Sequence, residues 1–268
     1  MKRTLTWSGL LAGLSCMALM AGCGGGDGGT GSTPNPAQDI FAVTTGGSLV
    51  RLDNIGLANL STQALTGLAG GETVFGADFR PATGQLYILG STGQLYTVNT
   101  TTAVATPVGA PLTLTGSSFG FDFNPSVDRI RVISSNGENL RVNPDTGALA
   151  GTDTNITPAG VYAAAAYTPA APGNPTTLYD LEVNGSQFGT QGGVDGNPSP
   201  NGGVFMPIAN LGINISSETQ FDIDSQGNGF FTSFDGAVTR LYYIDLDDGD
   251  IEELASTPLR LAGMSVLP

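Results

Sequence analysis

Asp78, Asp122 and Asp222 occupy equivalent places in a repeated pattern, and they are the residues of this chain best suited to chemistry. Each stands beside an aromatic, in Ala77-Asp78-Phe79, Phe121-Asp122-Phe123 and Phe221-Asp222-Ile223. Carboxylates converging on one point suit calcium, which takes six to eight oxygen ligands. The competing reading is architectural: each aspartate accepts backbone N–H groups of the neighbouring turn and recurs because the turn recurs. Ala166 and Ser265 fill the two remaining equivalent positions, which favours the architectural reading.

Other chemistries lack their residues. The sequence has no histidine, its one lysine is Lys2, and its cysteines are Cys16 and Cys23. Beyond Cys23, nucleophile–base triads and zinc sites of the usual composition cannot be assembled. Gly24 to Gly29 follows no strand pattern and has no phosphate-loop lysine. Carboxylates remain for acid–base work, helped by Tyr and Arg. The expected function is therefore a non-enzymatic binding or scaffolding module without a required cofactor; the rival is a calcium-dependent hydrolase or lyase of sugars or lactones.

Two further acidic stretches resemble calcium loops only superficially. In Asp245 to Asp250 the glycine comes one place early, and the stretch opening at Asp222 has Ser233 where a twelfth-position glutamate belongs. Both read as hairpin turns. The pairs Leu86-Tyr87, Leu95-Tyr96, Leu178-Tyr179 and Leu241-Tyr242 could stack on sugar rings, but period-two alternation makes them core. Arg129, Arg131 and Arg141 are expected to form salt bridges with the abundant carboxylates.

The elements that must position these residues follow from a repeat. Phe75 to Gly109 matches Phe119 to Ala150 without a gap at a shift of about 44 residues, the period of four-stranded propeller blades. Short alternating apolar runs separated by Gly-containing turns read as antiparallel strands near Gly76 to Arg80, Gln85 to Gly90, Gln94 to Asn99 and Val104 to Val108. Further copies begin at Asp39, near Val161 and at Glu218, making five. The first copy lacks an opening strand, and Leu261 to Pro268 resembles the missing one. The expected fold is all-β: a five-bladed propeller over residues 39–268, closed by strand exchange between the chain's two ends. Gly189 to Gly203 reads as a long irregular loop, and with the propeller's top face it is where a protein or carbohydrate ligand is expected.

Residues 1–22 read as an export signal: Lys2 and Arg3 precede an apolar run from Leu5 to Leu19 and small residues before Cys23. Met20-Ala21-Gly22-Cys23 resembles a lipobox, with Cys23 as the acylated first mature residue. Residues 23–38 then form a Gly/Ser/Pro-rich tether. Losing Lys2 and Arg3 from nine basic residues leaves seven, all arginine, against 23 acidic residues, a formal charge of −16. That charge opposes nucleic acid and anionic lipid as partners. The expectation is a monomer attached to the membrane by its acyl chain alone, at the outer membrane or cell surface.

The motifs GxDFRPxTGQLYxLGSxGQLYTVN, FGFDFNPxVDRIRV and LRVNPDTG resemble a bacterial family known as domain of unknown function 4394, often attached to export signals. The resemblance runs from about Asp39 to Pro268. It implies a fold and no activity, and the fourth copy fits it least well.

Overall fold

The computed structural model describes residues 34–267. Residues 1–22, expected as an export signal, Cys23, expected to be acylated, and most of the expected tether lie outside the described residues. Chain order gives β1 (Ile40–Thr44), β2 (Ser48–Leu52) and β3 (Asn59–Ala64). Next come β4 (Val74–Arg80), β5 (Gln85–Gly90), β6 (Leu95–Asn99) and β7 (Val104–Val108). The third group is β8 (Phe119–Asn124), β9 (Arg129–Ser134), β10 (Asn139–Val142) and β11 (Leu149–Thr152). The fourth is β12 (Tyr162–Tyr167), β13 (Leu178–Glu182), β14 (Gln187–Gln191) and β15 (Phe205–Asn210). The last strands are β16 (Gln220–Ile223), β17 (Gly229–Phe234), β18 (Thr239–Ile244), β19 (Ile251–Thr257) and β20 (Leu261–Val266). They form five antiparallel four-stranded sheets, four of them consecutive in sequence and one ordered β20-β1-β2-β3.

That mixed sheet closes the ring. β20 lies inside β1 with Phe41 opposite Ser265 and Ala42 opposite Met264, so the end of the chain completes the first blade. The innermost strands β4, β8, β12, β16 and β20 neighbour one another in that order around the axis. The fold is a five-bladed β-propeller.

Blades pack face to face, so most of their inner three strands are covered on both sides. On β1, Ile40 and Ala42 join a core with Phe230 and Leu241 of the fifth blade. Phe41 and Val43, on the opposite face, join Phe79 and Ile88 of the second. Period-two alternation thus serves two neighbours rather than a core and solvent, and five such cores alternate with the five blades. Each fully buried Leu, Ile or Phe contributes about 1.5–3 kcal/mol. Tyr87, Tyr96, Tyr179 and Tyr242 all lie in these cores.

Close approach at the axis is met by small residues two places before four of the five axial positions, Gly76, Gly120, Ala164 and Gly263, whereas the fifth blade has Gln220 there. A Cβ on Gly120 would lie 2.7 Å from the Ala165 amide nitrogen, and one on Gly76 2.6 Å from Phe121 Cβ. The stretch after β14 is more ordered than its composition suggests. It contains two short 3-10 turns, Val194–Gly196 and Pro200–Gly202. Asn201 and Gly203 in this stretch accept hydrogen bonds from the amides of Thr154 and Thr157. It is a strap laid across the third blade, and this follows from contacts beyond the reach of local composition.

Candidate functional site

The inner strands bring Asp78, Asp122 and Asp222 together at the propeller axis. One oxygen from each lies within 4.8 Å of the others, and all three residues are buried. They line a cavity of about 110 Å³ at the C-terminal ends of the inner strands, rimmed by Pro81, Pro125 and Pro169.

Their hydrogen bonds differ from the turn contacts anticipated for them. Asp78 Oδ2 accepts from the Phe123 amide at 2.8 Å, Asp122 Oδ1 from the Tyr167 amide at 3.0 Å and Asp222 Oδ2 from the Val266 amide at 2.7 Å. Ser265 Oγ accepts from the Phe79 amide at 3.2 Å. In every case the acceptor belongs to one blade and the donor to the next, one residue past the equivalent position. The turns beside the axis are held instead by other side chains: Asn124 Oδ1 accepts from Ser126 and Val127, and Asp224 Oδ1 from Gln226 and Asn228. The fourth blade breaks the ring, because Ala166 carries no acceptor. The Ile223 amide that would have used one bonds to its neighbour Asp222 Oδ1 at 2.7 Å.

Electrostatics make the cluster expensive to ionise. Burial, and then the charge of Asp222, push Asp78 well above the usual carboxylate range. Burial followed by the charges of Asp78 and Asp222 does the same for Asp122. Burial raises Asp222 to about 6, against the opposing hydrogen bonds from Val266, Ser265 and Ile223. Proton counting agrees. Ser265 Oγ lies 2.8 Å from Asp78 Oδ1 and 2.9 Å from Asp222 Oδ2, yet a hydroxyl has one hydrogen to donate. Satisfying both contacts requires a proton on a carboxyl group.

The arrangement can therefore share protons across blade boundaries. As a calcium site it offers few free oxygens, since both oxygens of Asp222 already accept amides. The other acidic stretches are hairpin turns: Asp245 to Asp250 joins β18 to β19, and Asp224 lies in the turn between β16 and β17.

Two buried groups were not anticipated as such. Arg131, 2 % exposed, lies between the third and fourth blades. It donates to Asp153 (2.7 Å), Asn139 (2.6 Å), Asn201 (2.8 Å) and the Tyr167 hydroxyl (3.1 Å). Burial would raise Asp153, but hydrogen bonds from Arg141 and Arg131 outweigh it and hold that carboxyl below its ordinary value. Arg129, by contrast, bonds to the carbonyls of Val127 and Asp128. Asp180 is fully buried, and neither carboxyl oxygen has a hydrogen-bond partner among the described residues. Burial raises its pKa well above the ordinary range, only partly offset by the Arg131 charge. Its place in the alternation, in phase with Leu178, was the available signal.

A family model described as a domain of unknown function, DUF4394, matches residues 48–264. Among solved structures, the chain is similar to the glutaminyl cyclase of Myxococcus xanthus, at 14 % identity over 80 % of this chain and 82 % of that one, with a TM-score of 0.48. A structural-genomics protein of unknown function from Bacteroides thetaiotaomicron is 14 % identical over 82 % of this chain and 58 % of that one, with a TM-score of 0.51. YCF48 bound to a D1 peptide is 13 % identical over 84 % and 70 % respectively, with a TM-score of 0.42. At 14 % identity, the likeness to the Bacteroides protein speaks to the fold alone. No curated protein matches the chain.

Proposed function

The chain belongs to the DUF4394 family, a domain of unknown function, and from that premise we propose that it is a non-enzymatic binding or scaffolding module of the bacterial cell envelope. One observation carries the non-enzymatic part: the axial residues best suited to chemistry are spent on architecture, Asp78, Asp122 and Asp222 each holding an amide of the next blade. What that clasp yields is a rigid ring with a cavity at each end of its axis, a scaffold suited to presenting loops and pockets. The envelope part is supported by the sequence pattern alone: Lys2 and Arg3 before the apolar run Leu5 to Leu19, Met20-Ala21-Gly22 before Cys23, and a Gly/Ser/Pro-rich stretch to residue 38. In this reading the module acts as a monomer, without nucleic acid and with its acyl chain as its only membrane contact, at the outer membrane or surface.

The second reading, a calcium-dependent hydrolase or lyase, draws on the convergence of three carboxylates within 4.8 Å. The commitment of both Asp222 oxygens to amides weighs against it.

Cell fractionation of the full-length chain tests the envelope reading. Wild type should take up labelled palmitate, sediment with membranes and leave them only in detergent, whereas Cys23→Ser should take up no label while staying on membranes through its uncleaved apolar run from Leu5 to Leu19. Wild type found in the cytosol, or Cys23→Ser labelled as strongly as wild type, contradicts the reading.

A further inference from the structure

At the opposite end of the axis, where the inner strands begin, a pocket of about 280 Å³ opens among residues the clasp does not use. Phe75 forms one wall. It stacks on Phe119 with ring centroids 4.7 Å apart and planes 28° from parallel. Phe119 is buried, while Phe75 is only half-buried and lines the opening. A half-covered aromatic lining a pocket is a platform for the apolar face of a ring.

The remaining walls carry hydrogen-bonding groups. Ser118, 6 % exposed, has a buried hydroxyl with no partner among the described residues. An unmet hydroxyl costs about 1–3 kcal/mol, and because this one is closed to solvent as placed, a ligand relieves that cost only when the short Ser118 side chain turns its hydroxyl toward the pocket. Gln220, 9 % exposed, makes a single long contact of 3.5 Å through its amide nitrogen to the Glu218 carbonyl. At the rim Glu218 and Arg260 form a two-pronged ion pair, with Arg260 Nε 2.6 Å from Oε2 and Nη2 bonded to Oε1.

Charge narrows the ligand class. Glu218 and Arg260 neutralise each other, so the pocket presents no unbalanced charge in a strongly acidic protein. A cation or anion would have to break that pair, whereas hydroxyl groups can bond to it as it stands. An aromatic platform, an unmet hydroxyl, a side-chain amide and a balanced ion pair together suit a neutral polyhydroxylated ring. We infer that this axial pocket binds a single neutral pyranose unit, with one ring face on Phe75 and hydroxyls on Ser118, Gln220 and the Glu218–Arg260 pair. This rests on the reading of the chain as a binding module and names its ligand class.

Isothermal titration of the purified full-length protein in detergent with glucose, galactose, N-acetylglucosamine and xylose tests it. At least one should bind saturably at millimolar concentration or below. Phe75→Ala should weaken that binding about tenfold, as loss of an aromatic contact implies. Ser118→Ala is the sharper variant: its unfolding midpoint should equal or exceed that of wild type, because an unmet polar group is removed, while sugar affinity falls. No saturable binding to any of the four sugars, or binding unchanged in both variants, overturns the assignment. Membrane fractionation of the same preparations separates the two claims: a protein that sediments with membranes but binds no sugar leaves the envelope module standing without this ligand.

Discussion

Replacing Asp222 by Asn should flatten the dependence of stability on pH, by an amount that follows from its surroundings. The folded-state pKa of Asp222 is raised by burial from 3.8 to about 6. A carboxyl whose folded pKa lies above its unfolded value stabilises fully below pH 3.8. That contribution is lost as pH rises towards 6, because the unfolded chain releases its proton first. A shift of roughly two units corresponds to about 3 kcal/mol. Asparagine cannot ionise and keeps one oxygen acceptor, but it presents N–H where the second amide expects an oxygen, a pH-independent cost of about 1 kcal/mol. Urea unfolding at pH 4, 5, 6 and 7 should therefore show the variant slightly weaker than wild type at pH 4. By pH 7 it should have gained about 2.4 kcal/mol on wild type relative to their difference at pH 4, where part of the effect is already spent. Removal of the Asp222 charge also eases ionisation of Asp78, which adds in the same direction. Parallel profiles, with a constant difference from pH 4 to 7, would refute the reasoning.

Three further outcomes follow from the same structure. Arg131→Met should destabilise the protein by about 3–5 kcal/mol, because it removes a buried partner from Asp153 and from the strap at Asn201; chemical denaturation measures this. Asp180→Ala should stabilise by about 1–3 kcal/mol, since two unpartnered buried oxygens disappear. That gain should be larger at pH 7 than at pH 4, because the folded pKa of Asp180 is raised, and a gain equal at both would sink the assignment. Gly120→Ala should lower the unfolding midpoint, as its Cβ would press within 2.7 Å of the Ala165 backbone; an unchanged midpoint would mean that the inner strands can separate freely.

The blades were legible because their signals are local. Phe75, Gly76, Asp78 and Pro81 recur as Phe119, Gly120, Asp122 and Pro125, and the displaced closing strand betrayed itself by resembling the start of a repeat. That three aspartates share one axis follows from counting blades, and the convergence of their oxygens agrees with that count. Their partners were not legible. The amide that Asp78 accepts lies 45 residues away on the next blade, and only the spacing of the closed ring decides whether a carboxylate reaches it or its own turn. The same limit hid the strap. Its Gly, Pro and Asn content describes local freedom, whereas its order comes from Thr154, Thr157 and Arg131 on a different blade. The pocket around Phe75 assembles from four blades, and no stretch of sequence carries its outline.

Thermal unfolding after exhaustive chelation, repeated at pH 7.5 with millimolar calcium and with equal magnesium, tests most directly whether the axial carboxylates form a proton-sharing clasp. A clasp that holds amides and protons gives the same midpoint with either ion. A ligand of the folded state at a hundredfold excess over its dissociation constant would add about 2.7 kcal/mol. A rise specific to calcium and lost in Asp122→Asn would contradict the clasp and make the axis a metal site.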